Sequence, residues 1–411
     1  VGDLVTADEV LKTKPELVEL YEKLNVSIDN VPGEFQSIKM PNAYRSMIED
    51  CLEENHYNAV FDLIESFQNS TYHPSEEQIR RLMDMIVNDE VENLDTATRA
   101  YRVLQHVLQT SGTEAFQNVW KLDEKEEYNK GSFWSQYTDF WRFIEIQFKP
   151  HQDNDKEDRT IMLLDHIVNV FETDIRLKKG NLGSTMLLHL IPKSTGKLRH
   201  PIQTLMSPFN EEEIYTEIAR ISQRLLEQIV LLSFSGYICL DVLLTEVYLQ
   251  INKHNPGQFQ LFLQTIISNV FRFKILDRAF QDTSLIRISH QDRNYILTPI
   301  NMTKIITIYF YSTPYYKNTT RSIATWRHIF MLYTLFQSYM NSKVLRIGDK
   351  VHCGLDEEEV NLIINGLVDE RVEEIENSLE EENIDSDIKN RAEFFLKMLK
   401  IDIKRIKKLI N

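Results

Sequence analysis

The stretch AYRSMIEDCLEENHYNAVFDLIESF, residues 43–67, decides the fold class of this chain. Both halves carry apolar side chains at the three- and four-residue spacing that places them on one face of a helix. These side chains are Met47, Ile48, Cys51 and Leu52 in the first half, and Val60, Leu63, Ile64 and Phe67 in the second. Only a polar break at 55–57 separates the two stripes, so the stretch predicts a hairpin of two amphipathic helices.

Helical periodicity of the same kind continues along the chain, for example at 71–87, 95–112 and 325–340. The 411 residues include only 12 glycines and 11 prolines, and this scarcity of turn residues favours long helices with short connections. We therefore predict an all-α protein, an irregular helical-repeat (HEAT-like) stack of antiparallel helix pairs without a fixed-period signature. The alternating pattern at 285–300 is the exception and predicts a small β-hairpin.

Composition shifts predict the domain organisation. Val31-Pro32-Gly33 predicts a turn, and the run PHQDNDKEDR at 150–159 is polar and lacks helical periodicity, which is typical of a loop. The predicted segments are an N-terminal segment and turn at 1–40, an N-terminal helical subdomain at 41–149, a polar loop at 150–160 and a C-terminal helical subdomain at 161–411.

Charge, cysteine usage and hydropathy narrow the function classes. The formal net charge of −16 disfavours a general nucleic-acid binder, because phosphate affinity depends on clustered Lys and Arg. Cys51, Cys239 and Cys353 are far apart and form no C-x-x-C pair, which predicts reduced thiols of an intracellular protein. No targeting peptide opens the sequence, and its most apolar run, 229–240, is shorter than the roughly 20 residues that cross a bilayer. No membrane association is expected.

The first hairpin also contains candidate metal ligands. Glu49, Glu53 and His56 would share one helix face, and Glu53-x-x-His56 has the spacing found in carboxylate-bridged di-metal bundles. Such a site needs a second Glu-x-x-His unit, and the sequence has only this one. The favoured interpretation is a solvated acidic face, with Cys51 and Leu52 turned inward. We expect no metal and no cofactor.

Catalytic motifs are missing from the sequence. Neither G-x-S-x-G nor H-E-x-x-H occurs, and no cysteine lies in a recognisable catalytic setting. The sequence therefore favours a non-enzymatic protein. An unrecognised enzyme, whose active-site residues are distant in sequence, stays open as an alternative.

A Gly-rich basic section at 176–203 invites a phosphate-loop interpretation, which its spacing excludes. A phosphate loop requires G-x-x-x-x-G-K-[ST], but Gly180 and Gly183 are too close together and Leu198 follows Lys197. Basic residues of this section could still form a patch that touches DNA or an acidic partner. They are Lys178, Lys179, Lys193, Lys197 and Arg199. Ordinary exposed loop lysines are the alternative, and the one we favour.

Two further features bear on binding. Aromatic side chains at helical spacing are core residues by default, but they would anchor a partner if exposed on a concave surface. The candidates are Trp134, Trp141, Trp326 and Phe330.

The last helix carries lysines after a tract rich in glutamate. These are Lys397, Lys400, Lys404, Lys407 and Lys408. We expect these two helices to pair with each other, since the aromatics that a membrane-surface helix needs are scarce here.

Four groups of segments, in chain order, carry a family resemblance. The first group, 47–87 with 97–109, contains a helix that ends near Glu-Glu-Asn, a helix that ends in Phe, a Tyr-x-Pro start and an Ala-Tyr helix. The second group is 256–280, with Lys274-Ile275-Leu276, and the fourth is the final helix pair at 360–399. The third group is 325–346, with Thr325, Trp326, Ser338, Tyr339, Val344 and Leu345. This series resembles the Nse-five-like domain of animal localisation factors of the Smc five/six chromosome-maintenance complex. The similarity covers most of 41–400.

The resemblance implies a nuclear, non-enzymatic scaffold. It would form an obligate heterodimer with an Nse-six-like subunit and recruit or regulate the Smc five/six complex in DNA repair and in restriction of viral genomes. The similar family member has SUMO-interacting motifs in a long N-terminal region without a counterpart here, so SUMO binding by this chain alone is not expected. Residues 18–34 also resemble a segment of the Nse-six-like subunit. Direct DNA binding through a basic loop around 178–199 is the alternative.

Overall fold

The computed structural model describes residues 37–87, 94–120, 139–149, 153–178, 180–192, 197–210, 217–253, 255–282, 285–288, 298–315, 320–347, 350–381 and 384–410. Most of these residues are helical, and the described strands form short two-stranded pairs. The all-α helical stack is therefore confirmed, whereas a HEAT-like repeat stays a prediction. Contacts divide the chain into two compact units, unit 1 (Val1–Leu243) and unit 2 (Leu244–Asn411).

Unit 1 is built from helices of very different length. They are α1 (Asn42–Glu53), α2 (Tyr57–Phe67), α3 (Glu76–Val87), α4 (Leu94–Ser111), α5 (Phe140–Gln147), α6 (Asn154–Leu177), α7 (Met186–Leu190), α8 (Arg199–Met206) and α9 (Glu217–Phe234), with 3-10 turns at Glu114–Phe116, Leu182–Ser184 and Ser207–Asn210. Strand β1 (Ile38–Lys39) pairs in parallel with β2 (Tyr72–His73). The division between the units falls within α10 (Leu240–Ile251).

Unit 2 continues with helices of mixed length. They are α11 (Pro256–Thr265), α12 (Asn269–Phe280), α13 (Met302–Lys304), which continues as a π-helical turn at Ile305–Tyr309, α14 (Arg321–Lys343), α15 (Glu357–Ile364), α16 (Leu367–Glu381) and α17 (Ser386–Ile410). Two antiparallel strand pairs accompany them: β3 (Ile286–Arg287) with β4 (Thr313–Pro314), and β5 (Val344–Ile347) with β6 (Lys350–Cys353).

The predicted first hairpin is confirmed as α1 and α2. Three residues connect the helices, and Asn55 takes a positive φ of 57° in this connection. The Tyr44 ring, near the start of α1, stacks on the Phe67 ring at the end of α2 with centroids 4.1 Å apart, so the helices are antiparallel. Ile48 and Ile64 are fully buried, while Cys51 and Leu52 are half-buried.

Local signals at the ends of α3 and α4 explain where these helices begin and stop. Ser75 precedes α3 and forms a reciprocal pair with Gln78: the Gln78 amide donates to the Ser75 hydroxyl, and the Ser75 amide donates to the Gln78 side chain. Helix α4 ends at Ser111, where Gly112 follows with a φ of 64°. A left-handed residue just past a helix end is typically glycine.

The predicted domain division differs from the structure. Residues 154–160 were expected in a polar loop, but they form the first turns of α6, and the Asp153 side chain caps this helix by accepting from the Asp155 amide at 3.1 Å. Polar residues suit a helix start because the first backbone N–H groups need acceptors. Contacts place the division between Leu243 and Leu244 rather than at 150–160.

Two expectations for unit 2 have different outcomes. The predicted β-hairpin at 285–300 is wrong in its pairing, because Ile286–Arg287 pairs with Thr313–Pro314, and residues 289–297 lie outside the described part.

The predicted pairing of the acidic tract with the basic last helix is confirmed. Helix α16 packs on α17, and two salt bridges, Lys400–Glu376 and Lys407–Asp369, join them at 2.5 Å each.

None of the described helices combines the length and the hydropathy that a bilayer crossing requires. The apolar run at 229–240 is divided between α9 and a turn, because Gly236 adopts a φ of 86° and stops the helix after Phe234.

Candidate functional site

A groove in unit 1 brings together an aromatic wall and several cationic side chains. Its volume is about 700 Å³, and residues of α5, α7, α8 and the segment before α8 line it. The lining residues are Trp120, Asp139, Phe140, Trp141, His189, Leu190, Pro192, Lys197, Arg199, His200 and Gln203. Aromatic faces with a few charged groups are a usual composition for a ligand site.

The aromatic wall is held rigidly by packing and by one hydrogen bond. The Trp141 indole N–H donates to the Leu190 carbonyl at 2.8 Å, which ties α5 to α7. Phe140 packs edge-on against Trp141 and Trp120, with ring centroids 5.3 Å and 6.0 Å apart. Phe171 of α6 closes the cluster behind them, 5.6 Å from Phe140. This wall is continuous with the core of unit 1.

The cationic rim comes from the start of α8. Lys197, Arg199 and His200 are exposed, and the first turn of α8 contains no acidic residue. Within the described residues, no salt bridge occupies Lys197 or Arg199. Cations at a helix N-terminus oppose the helix dipole at a typical cost of about 0.3–1 kcal/mol each. An anion bound in the groove would offset that repulsion.

The structure separates the predicted basic patch into different environments. Lys197 and Arg199 lie at the groove. Lys178 instead donates to the buried Asp174 carboxylate at 2.8 Å and to the Ser184 carbonyl at 3.1 Å. Lys178 is therefore a structural residue that holds the 3-10 turn at Leu182–Ser184 in place, and it does not belong to the predicted basic patch. Lys179 and Lys193 lie outside the described residues.

The candidate partner-binding aromatics are core residues in this chain. Trp141, Trp326 and Phe330 are 3%, 5% and 1% exposed, so the default interpretation as core residues applies to these three and the condition for partner anchors is not met. In unit 2, Phe330 packs against Phe395 of α17 with ring centroids 5.1 Å apart. Trp134 lies outside the described residues.

The acidic face of the first hairpin is solvated, as the favoured interpretation had it. Glu49, Glu53 and His56 are exposed, and His56 pairs only with Glu54, at 3.2 Å, among the described groups. Within the described residues, no group of three His, Cys, Asp or Glu side chains is placed to hold a metal ion.

A polar junction between α4, α6 and α9 was not predicted. Arg224 of α9 binds Asp165 at 2.7 Å, Asn169 at 2.6 Å and both oxygens of Glu172 at 2.7 and 2.9 Å. The Tyr101 hydroxyl of α4 donates to the second oxygen of Asp165 at 2.9 Å. The sequence did contain a signal, since Asp165, Asn169 and Glu172 form a polar stripe on one face of α6.

Electrostatics of the junction are those of a structural ion pair. Burial acts to lower the pKa of Arg224, but the hydrogen bonds and charges of Glu172 and Asp165 outweigh it and hold this pKa above its ordinary value. Burial and the Asp165 carboxylate raise the pKa of Tyr101 to about 12. The guanidinium therefore stays charged and the phenol neutral near neutral pH. Bidentate pairing of this kind fixes geometry as well as charge.

His166 follows Asp165 in the sequence but is fully buried. Its ring lies 5.3 Å from the Phe116 ring, and neither ring nitrogen has a hydrogen-bond partner among the described residues. Burial lowers the pKa of His166 to about 3, so the ring is neutral at physiological pH. We assign it a packing role.

Comparison with known proteins identifies no family: no protein-family model matches the chain, and no curated protein matches it.

Proposed function

We propose that this chain is a non-enzymatic nuclear scaffold that heterodimerises with an Nse-six-like subunit and recruits or regulates the Smc five/six complex. The observation that supports the proposal is the ordered series of sequence resemblances over 41–400, whose segments are mainly helical. The first series spans α1 to α4, the second α11 and α12, the third α14, and the last α15 to α17. An ordered series is more specific than any of its segments.

The chain also offers surface for a partner. Exposed large apolar side chains occur on β1 and α1 in unit 1 and on α17 in unit 2. These are Ile38, Tyr44 and Met47, and Phe394, Ile401 and Leu409. Apolar side chains grouped on one helix favour partner binding over scattered surface exposure.

Size-exclusion chromatography with light scattering tests the heterodimer. We expect this chain, mixed in equal amounts with an Nse-six-like subunit, to elute as one species with the mass of a 1:1 complex. An unrelated helical protein of similar size is the control and should elute separately. A chain that elutes as a monomer of 48.5 kDa at all partner concentrations would contradict the proposal.

The groove supports a second candidate function, the binding of an anionic nucleic acid. Lys197, Arg199 and His200 place positive charge beside the aromatic wall in an otherwise acidic chain. Trp120, Phe140 and Trp141 are each 3% exposed, so phosphate contacts with the cationic rim, rather than base stacking on the aromatic wall, would carry such binding.

Charge reversal at the groove tests this second function. The double variant Lys197→Glu/Arg199→Glu should weaken binding of a fluorescein-labelled 20-nucleotide oligothymidylate at least tenfold in low salt. The wild-type affinity should itself fall steeply as salt rises, because bound phosphates release counterions. Lys253→Glu/Arg278→Glu, which reverses two exposed cations in unit 2, is the matched control. Equal affinity of the two double variants would exclude the groove as the binding site.

A further inference from the structure

Helix α17 already shows how it binds an acidic helix. On its inner side, Lys400 pairs with Glu376 and Lys407 pairs with Asp369, both at 2.5 Å. The two lysines are seven residues apart, and so are the two carboxylates of α16. Between and beside these carboxylates, α16 buries Val368, Val372 and Leu379 at heptad spacing. The contact is thus an antiparallel helix pair with a charge pair in each heptad.

The outer side of α17 repeats this pattern with no described helix against it. Phe394, Lys397, Ile401, Lys404 and Lys408 follow one another at steps of three, four, three and four residues, and all are exposed. We call these five residues the outer stripe. Its lysines Lys397 and Lys404 are seven residues apart, like Lys400 and Lys407.

The lysines of the outer stripe are unpaired within the described part of the chain, where no hydrogen bond or salt bridge reaches Lys397, Lys404 or Lys408. Its apolar members are strongly exposed, Phe394 at 57% and Ile401 at 49%. A stripe with a 3.5-residue period is better suited to packing against a second helix than against an extended chain, because only a helix presents matching side chains with that period.

We propose that the outer stripe of α17 docks an acidic amphipathic helix of a partner protein, which carries carboxylates seven residues apart and apolar side chains between them. Charge complementarity identifies the occupant, because the lysines alternate with apolar residues rather than forming a continuous basic track. The inner pairing with α16 supplies the geometry of the contact. The stripe includes Phe394 and Ile401, two of the apolar side chains offered to a partner above, but its test with a peptide does not require the Nse-six-like subunit.

A peptide with the sequence of α16, residues 367–381, is the probe. It is used acetylated, amidated and fluorescently labelled, because an isolated helix of this length is marginal in water. We expect it to bind the full chain, and Lys397→Glu/Lys404→Glu to weaken the affinity at least tenfold. Phe394→Ser should also weaken binding. Lys253→Glu/Arg278→Glu, away from the stripe, should leave the affinity unchanged.

Exchanging the charges of the peptide and the chain distinguishes a peptide that docks on the outer stripe from one that displaces α16 from its own place on α17. A peptide with Asp369→Lys and Glu376→Lys should bind the Lys397→Glu/Lys404→Glu chain within threefold of the original pair and fail to bind the wild type. Circular dichroism checks that each variant remains folded. The proposal is wrong if the wild-type peptide does not bind, or if binding ignores Lys397→Glu/Lys404→Glu. It is also wrong if the stripe instead drives self-association in sedimentation or pelleting with phosphatidylserine vesicles.

Discussion

Phe330→Ala is expected to destabilise unit 2 by about 3–5 kcal/mol, the usual loss for a large aromatic side chain removed from a core. Phe330 is 1% exposed, and its ring lies between Trp326 on its own helix, 6.3 Å away, and Phe395 on α17, 5.1 Å away. Truncation leaves a cavity that these rigid rings cannot fill. Differential scanning calorimetry should show the transition of unit 2 about 10 °C lower.

Two further variants test whether the loss of stability is specific to the buried ring of Phe330. Phe330→Leu keeps most of the volume and should cost less than about 1.5 kcal/mol. Phe394→Ala removes an identical ring from an exposed site on α17, and its effect on stability should stay within about 0.5 kcal/mol. If Phe330→Ala left the melting temperature unchanged and only weakened a partner complex, Phe330 would be an interface anchor, as the sequence had allowed.

Arg224→Ala is expected to lower the free energy of unfolding of unit 1 by about 3 kcal/mol. The substitution leaves Asp165 and Glu172 with about 21% and 18% of their side chains exposed and without their cation. Removing one partner of such a pair usually costs about 3–5 kcal/mol, and the partial exposure places this site at the lower end. Chemical denaturation monitored by circular dichroism measures the difference.

Arg220→Ala is the matched control for the junction. Arg220 lies one turn before Arg224 on α9 and pairs with Glu217, but its side chain is 54% exposed. Surface pairs typically contribute about 0–1 kcal/mol. Arg224→Lys should recover only part of the loss, because an ammonium group cannot hold both oxygens of Glu172 and also reach Asn169. Equal effects of Arg220→Ala and Arg224→Ala would contradict a structural role for the junction.

The sequence predicted those parts of the fold that depend on neighbouring residues. The α1–α2 hairpin follows from two apolar stripes and the short polar break between them. The pairing of α16 with α17 also followed, because opposite charges alternate with apolar residues on two adjacent helices. In each case the signal and the contact lie close together in the chain.

Contacts between distant residues could not be predicted in this way. Arg224 binds Asp165, which lies 59 residues earlier in the chain. The apolar residues around Arg224 do not indicate which side chain it binds. The burial of Trp141 and Phe330 was ambiguous because core and interface aromatics have the same spacing. The division between the units lies within the continuous helix α10, so no loop or change of composition marks it. Of the candidate site, only Lys197, Arg199 and Trp141 were named in advance.

The polar junction has a consequence for the order in which unit 1 folds. Its bonds span 64 residues from Tyr101 to Asp165 and 59 from Asp165 to Arg224, whereas the α1–α2 hairpin closes over three residues. Closing a longer loop costs more chain entropy, and distant contacts slow folding. We therefore expect the α1–α2 hairpin to form early, and α4, α6 and α9 to join late. Because Arg224 binds Asp165, Asn169 and Glu172 together, we expect this late step also to fix the register in which α9 lies along α6.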